Sequence, residues 1–164
     1  GAVCSPKPFQ KPRPPIWIAA EGPRMLKIAA EIGDGWITVN PKVDDFRRKL
    51  SFIQNHAAEA GRKESEIEAA CYMYASLAQT SEKAWRIAEL EILPERRRAL
   101  NPNLSLKELG EVCLIGDPDE WIARIEDYVE AGAQHIIVKI VPLDQERLKL
   151  YAEKVIPHFK DQTI

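Results

Sequence analysis

One pattern constrains this chain more than any other. A short, nearly continuous apolar run is followed by a helical stretch with apolar residues three and four apart, and the pair recurs four times. The runs are Ile16-Trp17-Ile18-Ala19-Ala20, Trp36-Ile37-Thr38-Val39, residues 67–78 and Ile136-Ile137-Val138-Lys139-Ile140-Val141. Strands this apolar are expected in a parallel sheet covered on both faces. Strand-helix-strand connections are right-handed and put the helices outside the sheet. Two α/β architectures satisfy the pattern: a small open sheet, or half of a (β/α)₈ barrel, whose full form takes about 250 residues.

Local signals mark the element ends. Pro23 suits the first position of a helix, where its missing N–H costs nothing. Leu26, Ala29, Ala30 and Ile32 give that helix its apolar face, and Gly33 is expected in the left-handed position after it. Asn40-Pro41 reads as the cap and first turn of a long helix carrying Val43, Phe46, Leu50, Ile53 and Ala57 and ending at Gly61. Thr80 or Ser81 caps the next helix, which is expected to stop near Pro94. Residues 95–110 read as a short helix and a loop. Asp117-Pro118-Asp119-Glu120 combines a cap, a first-turn proline and a reciprocating carboxylate. Gly132 ends that helix. A last helix carries Leu148, Tyr151, Ala152 and Val155, with Pro157 as its stop.

Six of the 12 prolines fall in the first 23 residues. The stretch from Pro6 to Pro15 is too rich in proline for helix or inner strand. It reads as an extended lead-in over residues 1–15, ahead of one folded unit over 16–164. Such a lead-in fits a trimmed tag or linker, or the approach to the back part of a longer protein. With 45% hydrophobic and 29% charged residues the chain is globular in composition. A formal charge of −2 offers no basic field for nucleic acid. No apolar run has the length of a membrane span, and no signal peptide is legible. Cys4, Cys71 and Cys113 lack scaffold or zinc spacing and read as reduced cytoplasmic thiols. No two of His56, His135 and His158 have ligand spacing, which leaves no metal site; His56 reads as solvated.

The best chemical signal is strand, then Glu21-Gly22-Pro23-Arg24, then helix. Ligands of α/β folds bind where strands end. There a helix N-terminus offers free N–H groups and a favourable dipole to phosphate. Gly22 lets a ligand approach the backbone closely, and Arg24 adds a charge-assisted contact. The plainer alternative is a βα turn with a solvent-facing arginine. Asn40 fits a helix cap or a substrate contact. Tyr72 and Tyr74 share a strand face, suited to core packing or to stacking on a ring. Lys139 sits in an apolar strand and must be paired, or must face an anionic substrate. Arg96-Arg97-Arg98 fits a salt-bridged surface or anion recruitment. No catalytic acid or base can be named.

Residues 14–37, Pro-Pro-Ile-Trp-Ile-Ala-Ala-Glu-Gly-Pro-Arg-Met-Leu-Lys-Ile-Ala-Ala-Glu-Ile-Gly-Asp-Gly-Trp-Ile, resemble the fifth strand, helix and sixth strand of the luciferase-like oxidoreductases. That family includes flavin-dependent monooxygenases and enzymes using the deazaflavin F420. Residues 116–136 resemble the approach to its eighth strand, and residues 6–12 the lead-in to its fifth. The resemblance implies strands five to eight of a TIM (β/α)₈ barrel, the C-terminal half. It implies that Glu21, Gly22, Arg24 and Met25 hold the phosphate of F420 or FMN, mostly through backbone N–H groups, with Pro23 shaping the turn. Gly-Pro-Arg-Met-Leu looks closer to the deazaflavin reductases than to luciferase. The implied activity is hydride or electron transfer to a small-molecule substrate. Strands one to four are missing, so the expected partner is an N-terminal half of the same protein or a second copy. The alternative is a non-catalytic flavin-binding or self-assembling half-barrel.

Overall fold

The computed structural model describes residues 5–160. Cys4 and the last four residues of the folded unit lie outside them. Residues 5–15 form no helix or strand. The ordered elements are β1 (Trp17–Ala19), α1 (Pro23–Ile32), β2 (Gly35–Val39), α2 (Val43–Glu59), β3 (Glu68–Leu77), α3 (Ser81–Ile87), α4 (Leu93–Ala99), α5 (Leu106–Val112), β4 (Leu114–Gly116), α6 (Pro118–Glu130), β5 (His135–Ile140), α7 (Gln145–Leu150) and α8 (Ile156–Lys160). All pairings are parallel. β1 pairs β2, β2 pairs the first half of β3, and β5 pairs β3 from Ala70 to Ala75. The short β4 takes Ala75–Leu77, beyond the point where β2 has left. The sequence reading missed β4, whose three residues are too few to show a period.

The two faces of the sheet differ. Trp36, Thr38, Cys71, Met73, Ala75 and Leu77 are fully or almost fully buried. They pack with Leu26, Ala29 and Ala30 of α1, Phe46, Leu50 and Ile53 of α2, and Trp121, Ile125 and Tyr128 of α6. On the opposite face Trp17, Val39 and Ile137 are 38, 47 and 42% exposed. Tyr72, Tyr74 and Lys139 lie only partly covered beside them. A doubly wound open sheet carries helices on both faces. A barrel carries them on one and turns the other inward, and this sheet follows the barrel's arrangement.

At the N-terminal ends of the strands the bare face has a floor. The Trp17 ring lies over Gly35 and meets His135 edge-on at 5.3 Å, and His135 pairs with Glu68 at 3.0 Å. A Cβ on Gly35 would stand 2.5–2.7 Å from three Trp17 ring atoms. Gly35→Ala is therefore expected to lift the ring and cost about 1–3 kcal/mol. Thermal melts check the loss, and a red shift of tryptophan emission checks the movement.

Several helix ends behave as the sequence reads. Asp117 Oδ1 accepts from the Asp119 and Glu120 amides, and Glu120 returns the bond to the Asp117 amide at 2.9 Å. Thr80 caps α3, and Gly132 has the left-handed φ of 98° after α6. Gly33 does not: its φ is −76°. Its missing side chain instead allows close approach, since a Cβ would stand 2.7 Å from the Ala29 carbonyl oxygen. Pro94 and Pro157 do not stop their helices either. Each follows a wide π turn, Ala88–Ile92 and Tyr151–Val155, in which Leu93 N–H bonds back to Ala88 and Ile156 N–H to Tyr151. One extra residue per turn moves the carbonyl that a proline ring would strike. The helix therefore runs on to Ala99 in one case and to Lys160 in the other.

Candidate functional site

β1 ends at Ala19, and the chain turns through Ala20, Glu21 and Gly22 into α1. Gly22 is the N-cap, with φ −91° and ψ 155°, and its carbonyl accepts from Leu26 N–H at 3.0 Å. Any residue can adopt that backbone. Nothing lies within 4 Å of where a Cβ would stand. The fold itself therefore does not require glycine here. Pro23 has no N–H, and the amides of Gly22, Arg24 and Met25 have no acceptor among the described residues. α1 has no side-chain cap and no acidic residue in its first turn. Arg24 is exposed and Met25 is 43% exposed. The arrangement is an uncapped, sterically open helix N-terminus beside one arginine, which suits an oxyanion. It fits the phosphate of a flavin or deazaflavin.

The Glu21 side chain is occupied otherwise. Its carboxylate accepts from the Thr38 hydroxyl, from Val39 N–H at 3.4 Å and from Lys49. It ties the end of β1 to the end of β2 and to α2. Lys49 also pairs with Asp45 at 2.7 Å. Burial pushes the Lys49 ammonium down, but its bonds to Asp45 and Glu21 outweigh this and hold it above its ordinary value. Glu21 is thus a strut of the loop, and the amides after it are its open donors.

Asn40 does not cap α2; Lys42 takes that position. Asn40 instead adopts the left-handed φ of 46° at the exit of β2, a region that Asn tolerates better than most residues. Its N–H bonds to Tyr72 O and its Oδ1 accepts from Tyr74 N–H, both at 2.8 Å, which extends the β2–β3 ladder by one side chain. That bond fixes the amide orientation and leaves Nδ2 as a buried donor with no partner. Asn40 is only 8% exposed, and such a donor costs about 1–3 kcal/mol unless something accepts from it.

Lys139 is paired. Its Nζ is 3.2 Å from Glu95 Oε1 and 3.1 Å from the Tyr74 hydroxyl, which donates to the same carboxylate at 3.0 Å. The bond to Tyr74, then that to Glu95, holds the Lys139 ammonium above its ordinary value. Lys139, then Tyr74, holds the Glu95 carboxyl below its own. Tyr72 and Tyr74 meet edge to face at 6.1 Å on the bare face of the sheet. Sequence reasoning missed Glu95 and the cluster as a whole, because its members come from β3, α4 and β5 and share no local spacing. His56 is only partly solvated: it stacks on Phe52 at 4.1 Å and is half-buried. His158 lies within α8 and pairs with Glu126 at 2.8 Å. No group of three or more His, Cys, Asp or Glu is arranged to hold a metal among the described residues. Nor is any described helix long and apolar enough to cross a membrane.

Asp34, Asp45, Glu95, Glu108 and Glu111 are all held below ordinary carboxylate values. Arg13 does this for Asp34, Ser105 for Glu108 and Lys42 for Glu111; at Asp45 burial opposes the shift, and Lys49 and Arg48 overcome it. A depressed carboxylate stabilises fully above its unfolded value, about 4, and stops as pH falls through the folded value. Between about pH 5 and pH 8 the melting temperature is therefore expected to be flat, and below about pH 4 to fall; above about pH 8 the buried Cys71 and Cys113 thiols, whose folded values burial raises, lower it again. Thermal melts across that range check it.

The family model for the luciferase-like monooxygenase matches residues 1–135. The F420-dependent glucose-6-phosphate dehydrogenase of Nakamurella multipartita is 28% identical, over 89% of this chain and 48% of its own length. The 5,10-methylenetetrahydromethanopterin reductase of Methanopyrus kandleri is 26% identical, over 90% and 51%. Among solved structures, monooxygenase RslO1 from Streptomyces bottropensis superposes with a TM-score of 0.75 at 27% identity, over 94% of this chain and 51% of its own. The chain spans about half the length of these relatives. The fold is that of half a luciferase-like TIM barrel. With its bare-faced parallel sheet and its open Gly22 turn, the chain belongs to the luciferase-like monooxygenase family.

Proposed function

We propose that the chain is the C-terminal half of a flavin- or deazaflavin-dependent oxidoreductase or monooxygenase that takes the phosphate of F420 or FMN at Gly22–Met25. The observation that carries this reading is Gly22, a glycine with ordinary dihedrals and no neighbour of its own, followed by amides without acceptors. A phosphate oxygen there would meet N–H groups, the positive end of α1 and Arg24. Pro23 fixes the turn, and Glu21 holds it through Thr38 and Lys49. When bound, the cofactor supplies the hydride or electron chemistry; this half supplies its anchor. Asn40 Nδ2 offers a fixed donor, and Lys139 a charged one, to a small-molecule substrate at the same ends of the strands. Relatives of twice the length support an N-terminal half as the natural partner. The buried thiols Cys71 and Cys113, both pushed up to about 12 by burial, suit a reducing cytoplasm. Titrating FMN and F420 into the chain completed by an N-terminal half, followed by cofactor fluorescence, tests the reading. Saturable binding of either supports it, and no binding by a folded, completed barrel overturns it.

The bare face favours one other reading, a half-barrel that binds flavin without catalysis or closes on its own copy. Unpaired strand edges and apolar patches promote association. Sedimentation of the chain alone separates the two: a discrete dimer supports self-closure, and open-ended association that an N-terminal half relieves supports the enzyme.

A further inference from the structure

Two cations lie against the Tyr74 ring. Lys139 Nζ is 4.2 Å from its centroid, and the Arg96 guanidinium carbon is 4.6 Å from it. Glu95 is the one carboxylate in the group, and Lys139 takes it. The Arg96 guanidinium makes no hydrogen bond or ion pair among the described residues. A ring holds a guanidinium in place without neutralising it and without using its N–H donors. Asn40 steadies the same tyrosine from the other side of the ladder by accepting from its backbone N–H. The cluster is partly exposed, sits toward the C-terminal ends of β3 and β5, and carries one uncompensated positive charge. β1 is two strands away from β3, which carries Tyr74, and three from β5, which carries Lys139, roughly 10 and 14 Å along the sheet. The cluster is therefore separate from the Gly22 turn.

We propose that Lys139 and Arg96, set on Tyr74, form a second oxyanion subsite that binds the carboxylate or phosphate of the substrate, with Glu95 as the internal anion it displaces. The proposal rests on reading the C-terminal ends of the strands as the ligand site, and it narrows the substrate to an anionic molecule. Glu95 holds Lys139 in place when no ligand is bound and competes with an incoming oxyanion for the same ammonium. Removing the Glu95 charge therefore strengthens anion binding, whereas removing Lys139 weakens it.

The test is an amide-resolved ¹H–¹⁵N titration of the ¹⁵N-labelled chain completed by an N-terminal half, with inorganic phosphate, and with formate in a parallel arm. Expected are shifts around Tyr74, Glu95, Arg96 and Lys139, in either arm or both; the stronger arm identifies the substrate's anion. Glu95→Gln should tighten binding at this group by about tenfold, and Lys139→Met should weaken it by at least about tenfold. Amides at Gly22, Arg24 and Met25 should be unaffected by either substitution. A gain in the glutamine variant cannot come from misfolding. Shifts confined to Gly22–Met25 overturn the subsite and leave the cofactor reading standing. Shifts confined to the Tyr74 group support the subsite and count against the cofactor reading. Shifts at the Tyr74 group that Glu95→Gln fails to tighten overturn the subsite.

Discussion

Gly22→Asp is expected to make the chain slightly more stable and to weaken binding of FMN or F420 by more than about a hundredfold. The two effects have opposite signs because they arise on different sides of the same residue. Within the chain, Gly22 is the N-cap of a helix with no side-chain cap, and its φ of −91° and ψ of 155° suit aspartate. The new Cβ meets nothing within 4 Å. The carboxylate can accept from the Arg24 or Met25 amide and lies at the favourable end of the helix dipole. Together these are worth about 0.5 kcal/mol or slightly more. Toward a ligand the same carboxylate takes up the amides and adds a negative charge beside the phosphate. Two unit charges 4 Å apart repel by about 4 kcal/mol at an effective dielectric of 20. Gly22→Ala should fall between, with little change in stability and a smaller loss of binding. Thermal melts and a cofactor fluorescence titration of the completed barrel check both signs.

Trp36→Ala is expected to abolish cooperative unfolding. Trp36 is fully buried, stacks on Phe46 at 5.0 Å, and donates from its indole N–H to Ala20 O at 2.9 Å. Phe46 in turn meets Tyr128 edge-on at 6.2 Å, so one indole links β2, α2 and α6. Truncation leaves a large cavity, at about 3–5 kcal/mol, and an unpaired buried carbonyl, at about 1–3 kcal/mol. Whole domains are stable by only about 5–15 kcal/mol, and a half-barrel with one face bare belongs at the low end. Trp36→Phe keeps the ring and loses the hydrogen bond, so it should melt cooperatively at a reduced temperature. Circular dichroism on heating separates the two variants.

The contrast between Asp117 and Asn40 shows what was legible in the sequence. Asp117-Pro118-Asp119-Glu120 is a self-contained device: the cap, the fixed φ and the returning carboxylate all lie within one turn. Asn40-Pro41 carries the same local signs, yet its conformation is set by the neighbouring strand, through Tyr72 O and Tyr74 N–H. The prolines at 94 and 157 illustrate the same limit, because the stop they imply assumes an α-helical turn and each follows a π turn. The Gly22 turn was legible because its glycine, proline and strand are contiguous. The engagement of Glu21 with Thr38 and Lys49, and the grouping of Tyr74, Glu95, Arg96 and Lys139, were not. Those contacts join residues 17 to 65 positions apart and exist only once the sheet has formed.

The anchor at the start of α1 is tested most directly by amide hydrogen exchange over residues 20–27, with and without FMN or F420, in the chain joined to its N-terminal half. The account predicts that exchange at Gly22, Arg24 and Met25 slows when the cofactor is added and that Gly22→Asp removes the slowing. Cofactor binding that leaves those three amides exchanging at their free rate would contradict it.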